Sequence, residues 1–324
     1  MGSIHPISKN SINLSMQMEN RDLSSEEIMN SYRKAGSIAK KIRSIVPTIV
    51  KPNARVGDIC ERIEGTISEM GGKPAFPCNV GINDVAAHYT SPVRDTLVVP
   101  SGSIVKIDFG VHVDGYIADT AMTICLNPTL ESMVVTAEEA LRQALSRLKA
   151  GVQTSEIGAV IQSAIERRGF RPIANLTGHM MDRYVIHTGQ AIPNVAGMFG
   201  GKLKEGQICA IEPFATMKNA GGEVVNHASA HIFRFVRRRG TKDVDSKKML
   251  EYIEQHFKTL PFARRWLESV PEILSTSSVF NELLKSKCIV GYPVLVERTG
   301  APVSQAEHTV LITGDGFENL TGSV

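Results

Sequence analysis

The stretch from Ile104 to Ile124 admits few folds. Its apolar residues flank Asp114-Gly115, the two-residue sequence that most favours the left-handed turn of a tight β-hairpin. Closing a hairpin there sets the register, with Asp108 opposite Ala121 and Gly110 opposite Asp119. Side chains alternate along a strand, so all four share one face, and the two aspartates become diagonal neighbours roughly 7–8 Å apart at the backbone. Gly110 and Ala121 are small, which predicts room for an ion beside the carboxylates. Taken alone, two acids on a hairpin are more often a solvated face than a metal site.

A common plan occurs twice along the chain. Ser24-Ser25-Glu26-Glu27 has the form of a capping box and starts a helix whose apolar residues, from Ile28 to Ile45, recur at helical spacing until Pro47. A second helix is predicted from about Asp58 to Met70, ended by Gly71-Gly72. After a third helix near residues 131–149, Thr154 opens a fourth with Ile157, Ile161 and Ile165 on one stripe, ended by Gly169. The run Gly102-Ser103-Ile104-Val105-Lys106-Ile107-Asp108 then matches Gly206-Gln207-Ile208-Cys209-Ala210-Ile211-Glu212 in the pattern G-x-I-x-x-I-[D/E]. Read as an internal duplication, the match puts Asp108 and Glu212 at equivalent strand positions, and a site between the halves receives an acid from each.

The plan breaks where Arg234, Arg237, Arg238 and Arg239 lead into short amphipathic helices, predicted over residues 247–259, 262–270 and 278–285. A helical subdomain over residues 229–290 is therefore expected as an insertion in a body formed by residues 23–228 and 291–324, whose last strand runs from Val303 to Ile312. Residues 1–22, rich in Ser, Asn and Met without a period, read as a flexible extension. Five cysteines, odd in number and without CxxC spacing, fit buried free thiols rather than a disulfide framework. A net charge of +3 is too small to imply DNA binding, and the basic patch reads as a solvated face. Neither an eighteen-residue apolar run nor a secretory signal occurs, so a cytoplasmic protein without a membrane partner is expected.

Further acids change the reading of the hairpin. Glu212 follows Ile208-Cys209-Ala210-Ile211, and Glu307 precedes His308-Thr309-Val310-Leu311-Ile312, so both carboxylates are predicted in strands with buried neighbours. Buried carboxylates must be neutralised, and on those strands only Lys106 shares a face with Asp108. Two divalent ions from solution would offset four acids. An oxygen-rich set with one imidazole suits Mn, Co, Fe or Zn better than a thiolate zinc site. A pair of such ions lowers the pKa of a shared water from roughly 15.7 towards about 7, which is hydrolase chemistry.

The histidines sort by geometry. His308 adjoins Glu307 and points to the other face, while His112 lies four residues from Asp108, about 13 Å at roughly 3.3 Å per residue, near the turn. His227 and His231 have no glutamate in an HExxH arrangement, and His5 and His256 are expected in solvent. His88, His179 and His187 remain, one able to bind metal while another polarises a carbonyl or handles a proton.

At this point the residues form a pattern. Ala86-Ala87-His88-Tyr89-Thr90, Lys106-Ile107-Asp108-Phe109-Gly110, Ile117-Ala118-Asp119-Thr120, Asn175-Leu176-Thr177-Gly178-His179, Ile211-Glu212-Pro213-Phe214 and Gln305-Ala306-Glu307-His308-Thr309 together resemble the type II methionine aminopeptidases. The likeness runs from about Ser24 to the C-terminus and is greater to the archaeal forms. It implies an α+β pita-bread fold, a duplicated α/β unit around a curved antiparallel sheet, with a helical insertion before the last ligand. It also implies two divalent ions per chain, Co, Mn, Fe or Zn, with Asp108 chelating one, Asp119 and Glu307 bridging both, and His179 with Glu212 completing the other.

The implied reaction is attack by a metal-bridging hydroxide on the scissile carbonyl, removing the initiator methionine of nascent proteins and peptides with a small second residue. His88 would lie near the scissile amide, His187 would stabilise the oxyanion, and Glu212 would also shuttle a proton. Phe76, Ile186, Phe214 and Tyr292 would line an apolar pocket suited to a thioether. The implied partners are N-terminal Met-x peptides, with transient proximity to the ribosome, and a monomer is expected. The long basic N-terminal region of eukaryotic type II members is missing, which puts ribosome association in doubt. Proline-specific aminopeptidases and prolidases use the same kind of site but carry a large N-terminal domain, where here only about 85 residues precede His88. A catalytically dead binding module on the same scaffold loses ligands, and none of the five is substituted here.

Overall fold

In the computed structural model, Ser24 opens α1 (Ser25–Ile49) with both arms of the capping box: its hydroxyl accepts the Glu27 N–H at 3.3 Å, and Glu27 Oε2 accepts the Ser24 N–H at 2.8 Å. The structure describes residues 24–322 except 198–199, 239, 242, 269 and 271–275, so the expected extension over 1–22 and Arg239 of the basic patch lie outside the described residues. Pro47 does not end α1. It sits in the last turn, where few hydrogen bonds remain to be lost, and the Val50 N–H still reaches the Val46 carbonyl. α2 (Val56–Glu69) stops at Gly71, whose φ of 77° is the left-handed geometry a glycine adopts freely.

The two helices lay Ile38, Ile42, Val46, Ile59, Ile63 and Ile67 against β1 (Lys73–Ile82), β3 (Ile104–Val113) and β4 (Tyr116–Cys125), while the short β2 (Val85–Ala87) joins another sheet. A second helix pair, α3 (Glu131–Leu145) and α4 (Thr154–Arg167), builds a separate apolar cluster in which Ile157, Ile161 and Ile165 meet Met180, Ile192, Ile211 and Val310. Its strands are β5 (Phe170–Pro172), β6 (Thr177–Asp182), β7 (Val185–Pro193), β8 (Ile208–Ile211) and β9 (Phe214–Met217). Each half thus has its own helix pair and its own core, at about 1.5–3 kcal/mol for each large apolar side chain buried.

β10 (Val224–Phe235) leads into α5 (Val244–Phe257), β11 (Phe262–Ala263) and α6 (Ser277–Lys285), and the chain returns through β12 (Ile289–Glu297), β13 (Val303–Gln305), β14 (His308–Ile312) and β15 (Phe317–Asn319). The helix predicted over 262–270 is not formed. Phe262 and Ala263 instead pair with Phe233 and Ile232 of β10, and only residues Arg264–Leu267 make a short 3₁₀ turn, because a buried Phe262 packs better on the sheet than on an isolated helix. The sheets run β1-β3-β4, β11-β10-β12-β2, β13-β9-β5 and β15-β14-β8-β6-β7, all with antiparallel neighbours.

The final strand is also not continuous. It breaks at Ala306-Glu307, directly across from a matching break at Glu212-Pro213 between β8 and β9, since Gln305 pairs with Phe214 and His308 with Ile211. The two breaks are tied by the Ala306 N–H to the Pro213 carbonyl at 3.2 Å. Along the other side of the break, β4 meets β13 and β14 through threonine hydroxyls. Thr309 Oγ1 donates to the Asp119 carbonyl and accepts the Asp119 N–H, both at 2.7 Å, while Thr120 Oγ1 donates to the Glu307 carbonyl at 2.8 Å. Thr123 Oγ1 makes the same two-way contact with the backbone of Gln305. These hydroxyls satisfy buried backbone groups where the strands splay apart.

Candidate active site

The hairpin register is the one expected: Asp108 pairs with Ala121 and Gly110 with Asp119. The role of Gly110 differs from expectation. A Cβ there would lie 2.4 Å from Cε1 of Phe76, so the missing side chain makes room for an aromatic ring rather than an ion. Asp108 and Asp119 reach from β3 and β4, His179 from β6, and Glu212 and Glu307 from the two facing strand breaks, not from within strands as expected. At those breaks the backbone leaves the ladder, which lets both glutamates turn towards the aspartates. Gly178 fixes the approach of β6, since a Cβ there would meet the Ala210 carbonyl at 2.3 Å. Asn194 donates to the carbonyls of Leu176 and Glu212 at 3.0 and 3.1 Å and pins the β8–β9 break.

Ligand atoms of Asp119, His179 and Glu307 lie within 4.8 Å of one another, and His179 Nε2 is 3.6 Å from Asp119 Oδ2 and 3.5 Å from Glu212 Oε1. Asp108 lines the same cavity outside that tight group. Burial pushes Asp108 up to about 7 from its ordinary 3.8, and burial together with the neighbouring acids raises Asp119, Glu212 and Glu307 well above the carboxylate range. Burial and the nearby His187 push His179 down to about 3, so its imidazole is neutral at pH 7, the form that binds a metal. Asp108 Oδ1, Asp119 Oδ1 and Glu307 Oε1 are buried without a hydrogen-bond partner among the described residues. Like-charged groups with orphaned oxygens around a neutral imidazole fit divalent cations in number, charge and donor type.

The cavity, about 240 Å³, is lined by every residue singled out in the sequence: Phe76, His88, Ile186, His187, Phe214 and Tyr292 join the four acids and His179. His88 follows β2 with φ at 65°, and its Nδ1 faces the Pro293 carbonyl at 3.2 Å. A carbonyl only accepts, so Nδ1 carries the proton and Nε2 of the neutral ring is left as an acceptor. Tyr292 meets the His88 ring edge-on at 5.5 Å, and His187 stands at the exposed mouth with its ring 4.3 Å from that of His179. Burial of its ring lowers the pKa of His88, and desolvation by the cavity walls together with nearby His88 lowers that of His187.

The family model for metallopeptidase family M24 matches residues 30–251. A methionine aminopeptidase of Methanothermobacter thermautotrophicus is 41% identical over 298 residues, covering 91% of this chain and 99% of that protein. This chain belongs to metallopeptidase family M24. Among solved structures, a thermophilic Arx1 superposes with a TM-score of 0.78 at 19% identity, covering 93% of this chain and 92% of that one. The methionine aminopeptidase of Rickettsia prowazekii gives 0.66 at 20% identity, covering 93% and 99%. The M24 fold is the pita-bread arrangement, its curled antiparallel strands carrying the acids at the seam.

The M24 cavity also has walls that the sequence reading passed over: Asn79, Ala87, Asn175, Leu176, Thr177, Ile232, Pro261 and Leu295. Asn175 and Thr177 stood in the quoted motif around His179, and Ile232 is paired with Tyr292. Pro261 had no local signal. The excluded histidines lie elsewhere: His112 accepts the Gly115 N–H at the hairpin turn, His227 touches Ser229, His231 meets Tyr89, and His308 bonds Thr321 on the far face. All five cysteines are free thiols, four of them buried. No helix among the described residues is long and apolar enough to cross a membrane.

Proposed function

We propose that this M24 chain is a methionyl aminopeptidase, a metallo-exopeptidase that removes the N-terminal methionine from peptides and nascent proteins with a small second residue. The observation that carries this reading is the union, in one cavity, of four buried acids with an apolar wall of Phe76, Ile186, Phe214 and Tyr292. An unbranched thioether fills such a wall without leaving a polar group unpaired. The acid end suits the free α-amino group of the same residue.

Asp108, Asp119, His179, Glu212 and Glu307 would hold two divalent ions, of Co, Mn, Fe or Zn. Bound there, the ions offset the carboxylate charge and supply a water that ionises near neutral pH. His88 accepts the N–H of the scissile amide at Nε2, the ring held by its Nδ1 bond to Pro293. His187 donates to the carbonyl oxygen as negative charge develops on it. Glu212 carries the proton that must reach the leaving nitrogen. The chain acts as a monomer in the cytoplasm, with transient proximity to the ribosome through its nascent substrate. Residues 23–228 and 291–324 form the catalytic body and 229–290 the insertion, whose apolar residues Met249, Leu250, Ile253, Leu267, Val279 and Phe280 share a cluster. Metal-stripped protein assayed on a Met-x peptide panel, with each metal restored in turn, tests the reading; failure of every metal to restore methionine release from Met-Ala-Ser refutes it.

A further inference from the structure

Arg265, on the 3₁₀ turn after β11, lies 201 residues from Glu64 of α2, and the two form a buried ion pair through Nη2 and Oε1, with side chains 9% and 10% exposed. The other terminal nitrogen of the guanidinium is spent on the segment that follows His88. Nη1 donates to Thr90 Oγ1 at 2.9 Å and to the Ser91 carbonyl at 3.0 Å. Glu64 in turn accepts the Cys78 N–H at 2.9 Å and Trp266 Nε1–H at 2.8 Å, and Thr90 Oγ1 donates onward to the Cys78 carbonyl at 2.7 Å. The Val80 N–H binds the Tyr89 carbonyl at 2.8 Å, so residues 89–91 are gripped from β1 on one side and from the insertion on the other.

His88 needs that grip. Its φ of 65° lies in the left-handed region, which a histidine keeps only where its surroundings over-determine it. We infer that Arg265 is a positioning residue for His88: by forking between Glu64 on one side and the Thr90 hydroxyl and Ser91 carbonyl on the other, it lets the insertion hold the strained turn that aims the imidazole into the cavity. A lysine at 265 keeps the charge opposite Glu64 but, as a point charge on a flexible stem, cannot hold both partners in the planar geometry of a guanidinium.

The inference rests on the aminopeptidase reading, and its test separates the two. In metal-loaded full-length protein, R265K is expected to lower kcat for Met-Ala-Ser by roughly ten- to a hundredfold, the scale of a small misplacement of a reacting group. KM should stay within about twofold. Circular dichroism and the urea unfolding midpoint should stay near native, because the insertion stays docked. In a double-mutant cycle, R265K should add nothing to His88→Ala. T90V, which removes the hydroxyl and keeps the shape, should reproduce the kcat loss, and it runs the same cycle if R265K proves unstable. Effects that multiply in the double variants overturn the inference. Should native protein release no methionine with any metal, the aminopeptidase reading fails, and histidine NMR decides the rest. The His88 ring resonance, identified by its loss in His88→Ala, must then shift in R265K; an unmoved resonance overturns the inference.

Discussion

Glu64 and Glu307 are both carboxylates taken out of water, one fully partnered and the other not. Glu64 shares Arg265, Trp266 and the Cys78 N–H between its two oxygens, so the acid and its cation neutralise each other inside the protein. Among the described residues, the Glu307 carboxylate has a 3.3 Å contact from Gln305 on Oε2 and no partner on Oε1, and three more acids are close enough to raise its pKa. The cations nearest the seam are committed elsewhere. Arg43 of α1 gives Nη1 to Thr120 Oγ1 and the Ala121 carbonyl at 2.7 and 2.8 Å, and Lys106 gives Nζ to the carbonyls of Asn83 and Val303 at 2.9 and 2.6 Å. A buried acid completed by the protein is architecture, and one left with open lone pairs is a place for an exogenous cation.

The largest effect that can break this contrast comes from the seam. Glu307→Gln or Asp119→Asn should cut methionine release from Met-Ala-Ser by at least about a thousandfold while circular dichroism stays native. Full activity in either variant removes the bridging assignment. At the other site the loss should be in stability. Glu64→Ala leaves the Arg265 charge buried alone and should cost about 3–5 kcal/mol in urea unfolding. Glu307→Gln in metal-stripped protein should cost nothing or stabilise, and equal losses at the two sites would erase the distinction drawn here.

His187→Ala should lower kcat about a hundredfold with little change in KM; a rise in KM alone excludes the oxyanion role. The smallest effect is a pH dependence. Asp108, raised to about 7 from 3.8 by burial, binds its proton more tightly folded than unfolded. That stabilisation is complete below the unfolded value and lost as pH rises through the folded one. The melting temperature of metal-stripped protein should therefore fall between about pH 4 and about pH 7, and stay flat once ions replace protons. Identical slopes with and without metal would contradict this.

The hairpin was legible because its turn and its alternation act locally, so Asp108 and Asp119 could be placed to the residue. The helix pairs were legible for the same reason, through caps and apolar stripes. The strand breaks at Glu212-Pro213 and Ala306-Glu307 were not, because each exists only against the other, and continuous apolar runs hide them. Arg43 and Arg265 were missed because their partners are distant in sequence: Arg43 acts 77 residues away on Thr120, and Arg265 acts 175 residues away on Thr90. Phe262 shows the tertiary contact overriding a local pattern that suited a helix equally well.

Whether the seam acids hold cations is decided by counting the ions. Native protein equilibrated with Mn or Co and freed of unbound metal should retain about two ions per chain by plasma mass spectrometry, and Glu307→Gln should retain fewer. A folded, native-like protein that holds none at saturating metal would contradict the assignment of these carboxylates.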